Sequence, residues 1–210
     1  MIAIVDYGMG NLRSAQKGLE AVGHEAVITD NPADISSADA VVLPGVGAFK
    51  DCYDGLVSRG LVEPVKDAAA SGKPFLGICV GMQLLFDYGE EGEGSPGLGI
   101  FSGRVIRFPE TNRTGLKVPH MGWNQIEPVN GRDAQLFKHM SDTPFTYFVH
   151  SYHVQPADES IILARCSYGN AFPAVVGRDN VYAVQFHPEK SQTEGLALLR
   201  AFGELCTVVV

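Results

Sequence analysis

The chain has 210 residues, a formal net charge of −8 and an apolar fraction of 45%. These values are typical of one globular domain, although two small domains would fit the same length. The acidic balance disfavours nucleic acid as a partner, because phosphate binding requires clustered Lys and Arg. Uncharged apolar runs stay well short of the ~18 residues that cross a membrane, and the first residues lack a signal peptide's basic segment. We therefore expect a cytoplasmic protein with no membrane or nucleic-acid partner.

The first half of the sequence alternates short apolar runs with helical patterns. Strands are predicted at 2–5, 25–29, 40–43 and 74–78, and apolar residues at helical spacing fill the intervals. The run at 74–78 is apolar throughout, which is typical of a central strand buried on both faces. This alternation predicts right-handed crossovers and a parallel sheet.

The second half, beyond a loop at 90–97, is dominated by closely spaced strand patterns. The predicted strands cover 104–108, 118–126, 146–154, 162–167, 174–177 and 182–186, and a closing helix covers 194–205. Few helices separate these strands, which favours antiparallel pairing. We therefore expect a single α/β domain over 1–210, with three layers and a mixed sheet that is parallel in its N-terminal half.

The strongest local feature is Gly77-Ile78-Cys79-Val80-Gly81, which follows the apolar strand and opens a helix predicted to continue through Phe86. It is a G-x-C-x-G form of the nucleophile elbow, a sharp turn whose glycines make room for an exposed nucleophile. A thiol at a helix N-terminus also lies near the positive end of the helix dipole, which favours the thiolate. On this motif alone a buried structural cysteine is an equally good interpretation, and it is the better one for Cys52, Cys166 and Cys206.

A cysteine nucleophile needs a base and a group that orients the base. His187 and Glu189 are two residues apart at the end of a predicted strand, and Pro188 is expected to keep the segment extended. In an extended chain, side chains at i and i+2 share a face, so the carboxylate can hold the imidazole toward a thiol. A lone pair of this kind is more often a surface histidine in a polar turn.

The segment 44–49, Pro-Gly-Val-Gly-Ala-Phe, also follows a predicted strand. Carboxyl ends of parallel strands meet at one edge, where open α/β sheets bind ligands. The glycines let backbone N–H groups turn toward a ligand, so this loop and the Val80 N–H could supply two oxyanion donors. An ordinary strand-to-helix turn explains the same residues more simply.

Two other patterns have weak chemical interpretations. Gly8-Met9-Gly10 followed by Asp30 resembles a dinucleotide fingerprint, but Arg13 stands where that motif needs a small residue. His150 and His153 suggest a metal pair, but on one continuous strand they would point to opposite faces. No metal site is predicted.

The motifs taken together resemble those of class I glutamine amidotransferases. Residues 77–83 and 186–191 match the class. Residues 6–12, 44–47, 119–124 and 147–152 match, more narrowly, the glutaminase subunits of imidazole glycerol phosphate synthase, from histidine biosynthesis. The resemblance extends from residue 2 to about 205, with a mild departure at Val80, where that family usually has Leu.

The resemblance implies a role for each motif in hydrolysing glutamine. The implied catalytic triad is Cys79, His187 and Glu189, and the implied oxyanion donors belong to Gly47 and Val80. Glutamine would be bound by Gln83 and by the segment His150, Ser151 and Tyr152. No cofactor is implied.

The resemblance also implies a partner, a TIM-barrel cyclase that receives the ammonia. Ammonia would pass through that barrel to a phosphoribosylated intermediate, giving imidazole glycerol phosphate and an aminoimidazole carboxamide ribotide. The residues expected on the shared face are Asn11, His120, Met121, Trp123 and Asn124. Pro119 and Gly122 predict a bend or loop there, in which Trp123 is either a cap on the core or an anchor in the partner.

Two alternatives remain open at this stage. The same triad would serve the glutaminase of another synthase, such as that of anthranilate or pyridoxal phosphate, although Trp123 and the loop at 7–11 match one family only. A nucleotide-binding regulatory protein could instead retain a vestigial elbow, although the intact triad argues against it.

Overall fold

A computed structural model describes residues 1–109, 117–129 and 135–206 of the chain. Its strands are β1 (Ile2–Val5), β2 (Ala26–Thr29), β3 (Ala40–Gly45), β4 (Phe75–Cys79), β5 (Phe86–Gly89), β6 (Ser95–Pro96), β7 (Phe101–Arg107), β8 (His120–Pro128), β9 (Phe145–His150), β10 (Tyr152–Pro156), β11 (Ile162–Tyr168), β12 (Asn170–Arg178) and β13 (Val181–Val184). Its α-helices are α1 (Leu12–Ala21), α2 (Pro32–Ser37), α3 (Phe49–Ser58), α4 (Val62–Ala70), α5 (Val80–Leu84) and α6 (Gln192–Leu205). Short 3-10 turns occupy Glu159–Ile161 and Pro188–Lys190.

The main sheet is mixed, in the order β2-β1-β3-β4-β13-β12-β11-β8-β9. Strands β1 to β4 are parallel to one another and to β13, whereas β12, β11, β8 and β9 pair in antiparallel fashion. The predicted change from parallel to antiparallel pairing is therefore confirmed. A smaller sheet, β10-β7-β5-β6, was not foreseen from the sequence.

The helices cover both faces of the main sheet. The chain moves from β1 to β2 in one direction across the sheet and from β2 to β3 in the other, so right-handed crossovers place α1 and α2 on opposite faces. Helix α6 packs on α1, and α4 packs on α2. The predicted three-layer α/β arrangement is confirmed. None of the described helices is long and apolar enough to cross a membrane.

The centre of the sheet explains where a ligand can bind. Strands β1, β3, β4 and β13 are buried at every residue, and for β4 this was predicted from the apolar run at 74–78. Gly45 at the end of β3 pairs with Cys79 at the end of β4, and Val184 at the end of β13 pairs with Ile78. The segments that follow these three strands consequently meet at one edge.

Three local predictions were wrong. The helix after Cys79 ends at Leu84, and Phe86 begins β5, because Phe86 packs its ring against Phe101 in the smaller sheet. The strand predicted at 146–154 breaks at Ser151 into β9 and β10, which belong to different sheets. The bend predicted at 119–124 is limited to Pro119, since residues 120–125 belong to β8 and pair with β9 in unbroken register, with Gly122 at φ +135°.

Candidate active site

Cys79 occupies the sharp turn between β4 and α5. Its backbone has φ 57° and ψ −112°, a conformation that L-residues rarely adopt and that costs of order 1–3 kcal/mol. A Cβ added to Gly81 would lie 1.8 Å from the Leu43 carbonyl oxygen, and one added to Gly77 would lie 2.9 Å from that of Gly81. Glycine is therefore required on both sides of the cysteine, as the nucleophile elbow predicts.

His187 and Glu189 form a buried pair just beyond β13. The His187 Nδ1 atom lies 2.8 Å from Glu189 Oε1, and each side chain is only 2% exposed. The pairing was predicted, but its geometric reason was wrong, because Pro188–Lys190 is a 3-10 turn rather than extended chain. Asn11 adds a long contact from its Nδ2 atom to the same carboxylate oxygen, at 3.5 Å.

The second ring nitrogen of His187 faces Cys79. Within the described part of the chain, this Nε2 atom is buried and makes no well-directed hydrogen bond. Burial alone would lower the pKa of His187, but the close approach and charge of Cys79, together with the hydrogen bond and charge of Glu189, outweigh burial and raise it to about 10. The His187 imidazole can therefore carry a proton on Nε2, the nitrogen that faces the Cys79 sulfur.

A cavity of about 670 Å³ opens in front of Cys79. It collects predicted site residues from five separate segments, because all of them end or turn at the same edge of the sheet. The predicted residues that line it are Asn11, Gly47, Cys79, Val80, Gln83, His150, Ser151, Tyr152 and His187. The volume is large enough for a small amino-acid ligand.

Two side-chain hydrogen bonds hold the loop that follows β3. The Tyr7 hydroxyl donates to the Pro44 carbonyl at 2.6 Å, and the Cys52 thiol donates to the Val46 carbonyl at 3.3 Å. Gly47 has φ +89°, which favours glycine, and it lines the cavity together with Val80 at the start of α5. These contacts fix the backbone from which Gly47 was predicted to donate.

Comparison with known proteins agrees with this geometry. The family described as glutamine amidotransferase class-I matches residues 3–204. The subunit HisH of imidazole glycerol phosphate synthase from Syntrophotalea carbinolica is 55% identical over 208 residues, which cover 98% of this chain and 100% of that protein. The subunit HisH from Geobacter sulfurreducens is 53% identical over 97% of this chain and 98% of its own.

The chain belongs to the class-I glutamine amidotransferases and, among them, to the HisH family.

Solved structures share the fold of this HisH family member at low sequence identity. A crystal structure of a glutamine amidotransferase superposes with a TM-score of 0.75 at 23% identity, covering 99% of this chain and 100% of the other. A structure of PurLQS from Thermotoga maritima has a TM-score of 0.72 at 21% identity, covering 96% of each chain. At these identities the likeness establishes the fold alone.

Gln83 and His150 make contacts that the sequence did not predict. The Gln83 Nε2 atom donates to the Tyr152 carbonyl and to Gln185 Oε1, each at 3.1 Å. The His150 ring is 6% exposed, and its Nδ1 and Nε2 atoms contact the Tyr152 carbonyl and His120. Both side chains therefore support the cavity wall, and both ring nitrogens of His150 take part in these contacts.

Two residues at the site of this HisH family member were missed in the sequence, Glu91 in the cavity wall and Gln185 in the buried layer next to Cys79. Glu91 carries the one carboxylate among the described residues that line the cavity, and it accepts the Phe49 N–H at 2.7 Å. It lies in an acidic, glycine-rich loop that is typical of a solvated surface. Gln185 donates to the Cys79 sulfur at 3.8 Å. Its place just before His187 was a usable signal, because it continues β13 toward the same edge.

The residues expected to meet a partner fall on two sides of β8. Met121 and Trp123 point outward, with 62% and 47% of their surfaces exposed, beside Phe145 of β9 at 49%. His120 and Asn124 point inward, and His120 is only 3% exposed. The expectation that the His120 side chain lies on the partner face is therefore corrected by the alternation of a regular strand.

The remaining sequence patterns are the pair His150 and His153 and the Gly8–Gly10 turn with Asp30, all of them within the described residues. No group of three or more His, Cys, Asp or Glu side chains there could hold a metal ion. His150 and His153 were placed on opposite faces of one strand, but the break at Ser151 lets both rings contact Phe108. Asp30 is exposed at the end of β2, and the Gly8 N–H is bonded to Asp6 Oδ1 at 2.9 Å.

Proposed function

We propose that the chain hydrolyses glutamine to glutamate and ammonia, with Cys79 as the nucleophile, His187 as the base and Glu189 as the group that orients it. One observation carries the proposal: a buried His187–Glu189 pair faces a strained elbow cysteine at the end of a 670 Å³ cavity. The names of the HisH relatives and the class-I amidotransferase match support the same activity.

The geometry supports a two-step reaction. The Cys79 thiolate attacks the side-chain amide carbon of glutamine, and the developing oxyanion accepts hydrogen bonds from the Gly47 and Val80 N–H groups. His187 gives its proton to the departing nitrogen, which leaves as ammonia and produces a glutamyl thioester. His187 then removes a proton from water, the water oxygen attacks the thioester carbon, and glutamate leaves as the thiolate re-forms.

The cavity matches the two ends of glutamine. The carboxylate of Glu91 is suited to the substrate's α-ammonium group, since opposite charges pair favourably in a partly buried site. Ser151 and Tyr152 form the facing wall, and the Gln83 amide, four residues after Cys79, donates to the Tyr152 carbonyl and ties that wall to α5. Asn11 and Lys190 line the same cavity from the α1 side and the 3-10 turn.

We further propose that the ammonia is received by a docked TIM-barrel cyclase that makes imidazole glycerol phosphate and an aminoimidazole carboxamide ribotide. Ammonia released into bulk water would be protonated and lost as a nucleophile, so a docked acceptor is needed. The exposed side chains of Met121, Trp123 and Phe145 provide an apolar anchor for such a partner. The named relatives are subunits of one synthase, which favours this acceptor over those of anthranilate or pyridoxal phosphate synthesis.

The whole chain, 1–210, is proposed to be one glutaminase domain that acts in the cytoplasm without a cofactor. The family match over residues 3–204 and the continuous cluster of buried apolar side chains among the described residues support one domain. The absence of membrane-spanning helices in the described residues is compatible with this location.

The test is glutamate release from glutamine by the purified chain, alone and with a cyclase subunit of imidazole glycerol phosphate synthase. We expect hydrolysis that the cyclase increases, and product formation by the cyclase alone when ammonium salts replace glutamine at high pH. Glutamine turnover without any transfer to the cyclase would keep the hydrolase and overturn the acceptor. No turnover in either mixture would overturn both.

A further inference from the structure

A chain of hydrogen bonds lies behind the cavity wall, formed by side chains that the proposed reaction does not use. Asn124 Nδ2 lies 3.3 Å from His120 Nε2, and His120 Nδ1 lies 3.0 Å from His150 Nε2. His150 Nδ1 in turn lies 2.8 Å from the Tyr152 carbonyl oxygen. The chain thus connects the inner face of β8 to the backbone of the cavity wall.

The direction of every bond in this chain follows from its last acceptor. A carbonyl oxygen only accepts, so His150 must carry its hydrogen on Nδ1, which leaves its Nε2 as an acceptor. His120 must then donate from Nδ1, and its own Nε2 accepts from the Asn124 amide. Burial lowers the pKa of His120 to about 4 and that of His150 to about 3, so both rings are neutral at pH 7.

The orientation of Asn124 supports the same direction independently. Its Nδ2 atom also donates to the Ser167 carbonyl at 3.0 Å, while its Oδ1 atom accepts the Gln125 N–H at 2.9 Å. A flipped amide would place an oxygen against the Ser167 carbonyl and a nitrogen against an N–H. The amide hydrogen is therefore directed at His120, in agreement with the tautomers deduced from the other end.

The last acceptor in this chain of hydrogen bonds is the Tyr152 carbonyl, which is also connected to Cys79. The Tyr152 oxygen also accepts from Gln83 Nε2 at 3.1 Å, and the same Nε2 donates to Gln185 Oε1 at 3.1 Å. Gln185 donates onward to the Cys79 sulfur at 3.8 Å. The Tyr152 carbonyl is therefore connected to the Cys79 sulfur through the side-chain amides of Gln83 and Gln185.

We propose that His120 and Asn124 are positioning residues, which act through His150 to fix the Ser151–Tyr152 wall of the glutamine cavity. The kinetic consequence rests on the proposed function, whereas the tautomers do not. His120 is stacked between Tyr168 and Phe148, with ring centroids 4.0 and 4.8 Å away, so its ring plane is set by packing. Packing fixes the ring of His120. Hydrogen bonds at its two nitrogens connect Asn124 of β8 to His150 and, through His150, to the wall.

The first experiment is nitrogen NMR of the histidine rings in the full chain at pH 7, with assignment by loss of signals in His120→Phe and His150→Phe. The hydrogen is expected on Nδ1 of both rings, with neither ring charged. A hydrogen on Nε2 of either ring, or a charged ring, would overturn the proposal. This outcome does not depend on glutamine turnover, so it is decisive even if the proposed function fails.

The second experiment compares His120→Phe with His120→Asn in glutamine hydrolysis with the cyclase present. Phenylalanine keeps the stacked ring but removes the donor, whereas an asparagine amide keeps a donor near the Nδ1 position but loses the ring. We expect KM for glutamine to rise about 3- to 10-fold in His120→Phe, with kcat within about twofold and a smaller rise in His120→Asn. A purely structural role reverses this order, since the variant without the ring would then be the more damaged one.

Discussion

His187 and Glu189 are joined by a 2.8 Å contact between Nδ1 and Oε1 inside the protein, where each side chain is 2% exposed. This contact assigns the hydrogen of the imidazole in its neutral form to Nδ1 and leaves Nε2 directed toward Cys79. A carboxylate in this position also stabilises the charged ring, as in other nucleophile–base pairs that are oriented by a third group.

The charge on His187 should depend on Cys79. Burial alone would lower the pKa of His187, but the close approach and charge of Cys79 and the hydrogen bond and charge of Glu189 raise it to about 10. Cys79→Ala removes the sulfur contribution, so the pKa of His187 should fall well below 10. An NMR titration of the labelled histidine in both proteins measures the shift, with circular dichroism as the control for folding. An unchanged titration would show that Cys79 and His187 do not interact.

Glu189→Gln should be less damaging than His187→Ala. The carboxylate orients and charges the base, whereas the imidazole moves the proton in both half-reactions. We expect kcat for glutamine hydrolysis to fall about 10- to 100-fold in Glu189→Gln and further in His187→Ala. Steady-state kinetics of both variants beside the wild type checks the order, and an equal or inverted loss would contradict the assigned roles.

Trp123→Ala should weaken the cyclase complex more than it weakens the fold. Trp123 is 47% exposed on β8 and contacts Tyr147 edge-on, so truncation removes little core packing. Tryptophan at the centre of an interface can contribute about 2 kcal/mol or more to binding. Calorimetry should show that loss in affinity for the cyclase, while Tm falls by only a few degrees.

Val57→Ala is a matched control for Trp123→Ala, since Val57 is 52% exposed on α3. It should leave cyclase affinity unchanged. A large fall in Tm with unchanged affinity in Trp123→Ala would place that side chain in the core rather than in an interface.

Much of this arrangement was predictable because it rests on local patterns. The G-x-C-x-G motif at Gly77, Cys79 and Gly81 predicts a sharp turn with room only for glycine on either side of the cysteine. Fully apolar runs predict central strands. Other features depend on contacts between distant segments. The break at Ser151 arises because β9 joins the main sheet while β10 pairs with β7, and no residue near Ser151 signals that change.

The direction of the His120 side chain was predicted wrongly for a related physical reason. Pro119 and Gly122 favour a bend by local preference, and Pro119 lies in one just before β8, but pairing with β9 over six residues keeps β8 continuous through Gly122. Side chains alternate between the two faces of a continuous strand, so His120 points inward and Trp123 points outward. The resemblance predicted that residues 119–124 meet a partner, but it did not predict which of their side chains point inward and which point outward.

The buried histidines should make stability sensitive to acid. Burial lowers the pKa of His120 to about 4 and of His150 to about 3, from an ordinary value of 6.5. The unfolded chain therefore binds protons near pH 6.5 that the folded chain does not bind. Their contribution to stability is complete above pH 6.5 and is lost as pH falls toward 4, with a slope of at most about 1.4 kcal/mol per pH unit for each histidine.

His120→Phe removes one of these titrations. The free energy of unfolding, measured by urea denaturation at several pH values, should fall less steeply with acid in this variant than in the wild type between pH 6.5 and 4. The raised pKa of His187 does not affect this window, because its contribution is constant below 6.5 and is lost only as pH rises through 10. Identical slopes in the two proteins would contradict the buried neutral state of His120.

The central claim is that Cys79 attacks the amide carbon of glutamine. A glutamine analogue with an electrophile in place of that amide tests it, with mass spectrometry to locate the adduct in the complex with the cyclase. We expect one adduct per chain, on Cys79, with loss of glutamine hydrolysis in proportion. Cys52, Cys166 and Cys206 should stay unmodified, since burial raises the pKa of each thiol. An adduct on another residue, or full glutamine turnover by Cys79→Ala, would contradict the account.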